Sequence, residues 1–173
     1  MHTLKLERFH CIEDSEESGF TSPVFLTVIA DFDAASVRAL LSPRARWTHK
    51  RDKAEAWPAE QTVRSGEAPA HGQLVSLVAM LEGTALIAPA AIEAALQRRL
   101  CELRRDRLRG DSPQAAAALV NALLLALAPA PALGNAEPPA VRLLPLQGRA
   151  ALLPPLSLPG RTGIYKVWFR ETV

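Results

Sequence analysis

Hydrophobic and polar positions alternate from the start of the chain. Over residues 3–12, Leu4 and Leu6 alternate with Lys5 and Glu7, the period of a strand with one face in a core. The pattern then slips one position to Phe9 and Cys11, and a slip in a period-two pattern predicts a β-bulge. Residues 13–22 read as an acidic turn carrying Gly19. A second strand follows over 23–32, with Val24, Leu26 and Val28 on one face and Phe25, Thr27 and Ile29 on the other. Two strands joined by a glycine-bearing turn predict a hairpin.

Residues 33–72 are weakly patterned. Residues 34–41 are predicted as a short helix with Asp33 as its N-cap, residues 42–60 as basic, Trp-containing loop, and residues 62–67 as a short strand. Residues 73–81 are apolar on both faces, which suits a buried central strand, although periodicity alone leaves a helix open. Residues 89–109 carry the clearest helical pattern. Pro89 suits the first turn, Ile92, Leu96, Leu100 and Leu103 form a stripe, and Gly110 is read as the stop. Ser112 and Pro113 open a second helix, 113–128, apolar nearly all round. The two helices form a predicted helical hairpin. Residues 140–146 read as a strand, the Pro-laced stretch after it as loop, and residues 163–170 as a last strand with Tyr165, Val167 and Phe169 on one face.

Strands at both ends with helices between them predict an α+β fold, an antiparallel β-sandwich-like sheet with an inserted helical hairpin. The length of 173 residues predicts a single domain over 1–173. Apolar residues at 49% and charged residues at 22% argue for a folded chain. Net charge is only +2, but residues 1–33 carry seven acids against two bases, and residues 38–64 seven bases against three acids. Such a basic stretch with two tryptophans lacks the concentrated basic patch and stacking aromatics of a nucleic-acid binder, so no nucleic-acid partner is expected. The N-terminus lacks the apolar run of a signal peptide. The apolar stretch 115–128 is shorter than the roughly 20 residues a membrane span needs. The expected location is therefore cytoplasmic, with no transmembrane segment; export by a dedicated secretion machine stays open.

The opening Leu4-x-Leu6 leading to Cys11, the turn Glu13-Asp14-Ser15-Glu16-Glu17-Ser18-Gly19 and the strand Pro23-Val24-Phe25-Leu26-Thr27-Val28 together resemble the start of poorly characterised bacterial β-rich proteins. In those, a strand ending near Cys leads into a Thr-Asp/Glu-rich turn and then an Asp-Glu-aromatic strand. The middle, Leu77-Val78-Ala79-Met80-Leu81-Glu82, the helices after it, and the closing Gly163-Ile164-Tyr165-Lys166-Val167-Trp168-Phe169 are similar too. The resemblance leaves residues 33–72 and 129–160 unmatched. It implies a β-sandwich like the calcium/lipid-binding modules of protein kinase C type. The chain departs from that pattern at Thr21-Ser22-Pro23 and at Gly83-Thr84, where acidic residues would stand. Calcium takes roughly six to eight oxygen ligands, and fewer are on offer here.

Candidate chemistry is sparse. Asp14, Glu16 and Glu17 in the acidic turn are the candidate metal ligands, with calcium the possible cofactor, although their spacing does not match the twelve-residue calcium loop. The alternative is a solvated hairpin turn. His10 and Cys11 with Cys101, His49 or His71 show no close-ligand spacing for zinc, and both cysteines read as small buried hydrophobes. No serine-nucleophile elbow and no phosphate-binding glycine loop occurs. The arginines of the first helix, with the basic stretch 44–53, suggest either a solvated face or contact with an anionic membrane surface or an acidic protein. The second helix is either central core or a subunit interface. The expected function is a non-enzymatic binding or assembly module acting through a protein interface, with a protein partner or as a homo-oligomer. The contacts fall on the Leu/Ala helix and the final aromatic strand. The alternative is a calcium- or charge-assisted membrane-surface module.

Overall fold

The computed structural model describes residues 1–14, 24–42, 57–67, 70, 72–81, 88–128, 139–160 and 163–173. Its elements are β1 (His2–Asp14), β2 (Val24–Asp31), β3 (Ser36–Leu41), β4 (Trp57–Gly66), β5 (Leu74–Leu81), α1 (Pro89–Arg105), α2 (Pro113–Leu127), β6 (Val141–Leu144), β7 (Ala151–Leu152), β8 (Leu156–Pro159) and β9 (Gly163–Thr172). The fold is α+β. One antiparallel sheet has the order β4-β1-β9-β7, with β8 also paired to β9, and the second has the order β3-β2-β5-β6. The chain inserts the two helices between β5 and β6.

The packing has three layers. Leu4, Leu6, Phe9 and Cys11 of β1 and Tyr165, Val167 and Phe169 of β9 meet Phe25, Ile29, Val78, Met80 and Leu144 of the second sheet in one core. The opposite face of the second sheet, through Leu26, Val28, Ala30, Val37, Val75, Leu77 and Ala79, packs on Ile92, Leu96, Leu100 and Leu103 of α1 and on Ala115, Leu119 and Leu123 of α2. The second sheet is therefore covered twice. This is why β2 and β5 are apolar on both faces, and burying each of the α1 stripe residues contributes about 1.5–3 kcal/mol.

The covering also overturns the expected hairpin. β1 and β2 lie in different sheets: β1 pairs β4 and β9, whereas β2 pairs β3 and β5. A strand with polar residues on one face belongs in the outer sheet, and one that is apolar on both belongs between layers. The predicted helix over 34–41 is also a strand. Asp31 Oδ1 accepts from the Asp33 and Ala34 N–H groups at 3.0 and 2.9 Å, and Ala35 adopts φ 52°, so residues 32–35 reverse the chain and β3 returns along β2. Asp31 makes the turn that Asp33 was expected to cap. Strand β4 begins at Trp57, inside the expected loop 42–60, and residues 43–56 of that loop lie outside the described residues. The Pro-laced stretch contains β7 and β8, each paired to β9. Pro159 is tolerated there because β8 runs at the edge.

The predicted bulge in β1 is present, with a register shift between Leu6 and Arg8 against both neighbours. Helix α1 ends at Arg105 rather than at 109. Arg107 takes φ 58°, its N–H donates to the Arg104 carbonyl at 3.0 Å, and the Leu108 N–H donates to the Leu103 carbonyl at 2.9 Å. This is a Schellman cap with arginine in the left-handed position that glycine usually takes. Gly110 has a different role. A Cβ there would lie 2.8 Å from the Gly72 carbonyl oxygen, so glycine lets the inter-helix turn approach the entry to β5.

Candidate functional site

The acidic turn is only partly visible. Asp14 ends β1 with its backbone opposite Gly163, but its side chain, and all of Glu16 and Glu17, lie outside the described residues. His49, His71 and the basic stretch 44–53 lie outside them as well. No group of three or more His, Cys, Asp or Glu side chains placed to hold a metal occurs among the described residues. The cysteines sit on separate layers, Cys11 buried between the sheets and Cys101 exposed on α1, and they form no disulfide. Cys101 thus departs from the expected buried thiol because it lies off the Ile92–Leu96–Leu100–Leu103 stripe.

Among the described residues, a dense polar arrangement lies where the ends of β1, β4 and β9 meet. Glu171 of β9 is 1% exposed and His2 of β1 is 2% exposed. Glu171 Oε1 accepts from His2 Nε2 at 2.7 Å and from the Gly148 N–H at 3.0 Å, and its Oε2 accepts from the Gln147 N–H at 2.8 Å. Arg64 Nη1 donates to His2 Nδ1 at 2.9 Å. Guanidinium is only a donor, so Nδ1 must accept and Nε2 must carry the hydrogen given to Glu171. The imidazole thereby joins a buried carboxylate to a guanidinium, with each nitrogen's role set by its neighbour.

Arg64 faces inward because of a bulge. Leu4 pairs with Arg64 and Lys5 with Thr62, so Val63 is an extra residue in β4. Val63 and Arg64 both turn toward the space between the sheets. Arg64 Nη2 donates to the Glu67 carbonyl at 2.9 Å and lies 3.6 Å from Asp31 Oδ2. A cavity of about 160 Å³ opens there, lined by Ile29, Asp31, Ser36, Arg38, Val63, Arg64 and Ser65. Strand β3 supplies Arg38 from the same face as Leu40, which packs into the inter-sheet core.

The residues of this cluster extend inward registers already visible in the chain. Glu171 continues Tyr165, Val167 and Phe169; His2 precedes Leu4 and Leu6; Asp31 continues Phe25, Thr27 and Ile29. An ionisable residue in the apolar phase of a strand was the available signal. Reading the last strand as ending at 170 missed it.

The outer surfaces differ in character. On the outer sheet, Arg8 lies 4.9 Å over the Trp168 ring, and Arg170 pairs with Glu7. Glu7, first through the hydrogen bond and then through its charge, raises the Arg170 pKa above its ordinary value. Tyr165, Val167 and Phe169 of the final aromatic strand are spent in the core. On the helical layer, Arg98, Arg104 and Arg105 of α1 are exposed, and Arg99 pairs with Glu102 at 2.6 Å. Helix α2 has no charged side chain, and although Ala115, Leu119 and Leu123 are buried, Leu125 is 78% exposed. No described helix is long and apolar enough to cross a membrane. A scan against protein-family models, a search of curated proteins and a search of solved structures each return no match.

Proposed function

We propose that this chain is a non-enzymatic assembly module that associates with a second copy of itself through the outer face of α2. The observation that supports the reading is the exposed, uncharged face of that helix, with Leu125 at 78% exposure among Ala117, Asn121 and Ala128. An uncharged face that exposes a large apolar side chain suits contact with another apolar surface. A two-fold interface places a surface against its own copy, so charged residues near the axis meet like charges. Helix α2 carries none, whereas α1 would set arginines against arginines.

The size of the face sets the strength. Fifteen residues make a helix of about 22 Å, a fraction of the roughly 800 Å² per partner that a stable interface buries. The association is therefore weak and concentration-dependent. Sedimentation velocity over a rising concentration series tests it. The mass of the wild-type chain should climb toward that of a dimer, and Leu125→Glu should stay monomeric with an unchanged melting curve. A wild-type chain that stays monomeric throughout, or a variant that associates equally well, refutes the reading.

A further inference from the structure

We propose that the cavity between β3 and β4 is a binding site for a small oxyanion, a phosphate-, sulfate- or carboxylate-bearing ligand. It is separate from the α2 face and does not depend on it. Three features carry the inference. The first is how Arg64 comes to be there. Without the bulge at Val63, strand alternation would put Val63 and Arg64 on opposite faces; with it, the guanidinium is aimed into the space between the sheets, where Arg64 is 14% exposed. Bulges of this kind re-aim side chains beside functional sites.

The second feature is that the guanidinium is held before any ligand arrives. His2 Nδ1 and the Glu67 carbonyl fix two of its N–H groups, and Glu171 in turn fixes the imidazole. A guanidinium offers five donors in a rigid fork, and these bonds use two of them. A fork immobilised in this way loses less entropy when it grips a planar or tetrahedral anion.

The third feature is the facing wall. Arg38 comes from the other sheet, with Ser36 beside it and Ser65 next to Arg64, over a floor of Ile29 and Val63. Two guanidinium groups face one carboxylate, Asp31, whose Oδ1 accepts from two turn N–H groups and whose Oδ2 lies 3.6 Å from Arg64 Nη2, so the pair leaves the Arg38 charge unbalanced. The net charge favours an anion, and the hydroxyls supply donors that suit oxygen ligands. A cavity of about 160 Å³ has room for a single oxyanion group.

Calorimetric titration with inorganic phosphate, sulfate and succinate in separate arms, at low millimolar concentration and matched ionic strength, tests this. Matching matters because phosphate and sulfate at high concentration stabilise most folded proteins by exclusion. Saturable one-site binding is expected, and the arm that binds best identifies the anionic group. Arg38→Gln alters an exposed side chain and should preserve the fold, yet weaken binding about tenfold or more. Ser65→Ala gives a second, milder loss. Backbone amide shifts in nuclear magnetic resonance should cluster on residues 31, 36, 38 and 63–65. No saturable binding in any arm overturns the proposal, as does binding of equal strength in Arg38→Gln or shifts that fall elsewhere.

Discussion

Strand β3 is an edge strand, yet two of its outward N–H groups are occupied. The Val37 N–H donates to Gln97 Oε1 at 3.0 Å and the Ala39 N–H to Glu93 Oε1 at 2.8 Å, while Gln97 Nε2 donates to the Ala35 carbonyl at 2.6 Å. The spacing explains why one helix can do this. Four residues along a helix rise about 6.0 Å, and two along a strand about 6.6 Å, so side chains at 93 and 97 match alternate strand amides when the elements run oppositely. Glu93→Ala removes a charge-assisted acceptor worth about 1.5–3 kcal/mol, less a few tenths returned by alanine's helix propensity. Gln97→Ala removes two neutral bonds to β3 of about 1 kcal/mol each, and with them a weak bond to Cys101 Sγ at 3.7 Å. The double variant should lose about 3–4 kcal/mol if the two caps act on separate groups. Glu93→Gln keeps an acceptor and should cost less than about 1 kcal/mol. Equilibrium urea unfolding reads these as shifts in midpoint at constant slope. The reasoning fails if Glu93→Ala lies within about 0.5 kcal/mol of wild type, or if Glu93→Gln is as costly as the alanine change.

Two further substitutions probe the turns. Arg107→Gly should stabilise the chain, by about 0.5–1 kcal/mol, because Arg107 occupies φ 58° at a Schellman cap where a Cβ is a penalty; a lower melting temperature would show that the arginine side chain contributes more than its backbone costs. Gly110→Ala should destabilise by about 2 kcal/mol or more, since its Cβ would meet the Gly72 backbone oxygen at 2.8 Å, and a melting temperature equal to wild type would contradict that close approach.

Strand and helix types were legible where one physical requirement acted alone. The α1 stripe of Ile92, Leu96, Leu100 and Leu103, the slip from Leu6 to Phe9 and the double-faced β5 all appear as read, because burial dictates each of them. Residues 34–41 failed for a different reason. Val37 and Ala39 face the helices while Arg38 and Leu40 face the other sheet, so the strand has something to bury on both sides and little alternation for a reader to see. The hairpin of β1 and β2 failed because alternation reports which faces are buried but not which strand is the neighbour. The candidate carboxylates Asp14, Glu16 and Glu17 were found by charge density, which marks a solvated turn as readily as a ligand set. The cluster of His2, Arg64 and Glu171 needed the opposite signal, a charge in the phase where apolar residues belong. Arg64 was hidden even from that test, since only the pairing of β4 with β1 reveals the bulge that turns it inward.

Where binding surfaces can lie follows from the layering. The second sheet contributes no open face, being covered by the first sheet on one side and by α1 and α2 on the other. Its β3 edge is capped by Glu93 and Gln97, and its β6 edge is four residues long and ends against Pro145, so neither edge is a ready template for another strand. On the outer face of the first sheet, Arg8 lies over Trp168 and Arg170 pairs with Glu7. Among the described residues, the two proposed sites combine exposure with recognition chemistry: the uncharged outer face of α2, and the mouth between β3 and β4 where the bulge delivers Arg64. They lie on different elements, with the second sheet and its helix-facing core between them. A substitution at Leu125 should therefore leave anion binding intact, and Arg38→Gln should leave association intact, since side chains without shared partners act independently. Coupling between the two variants would mean that one of these sites is an indirect effect of the other, and the layered architecture gives no path for that.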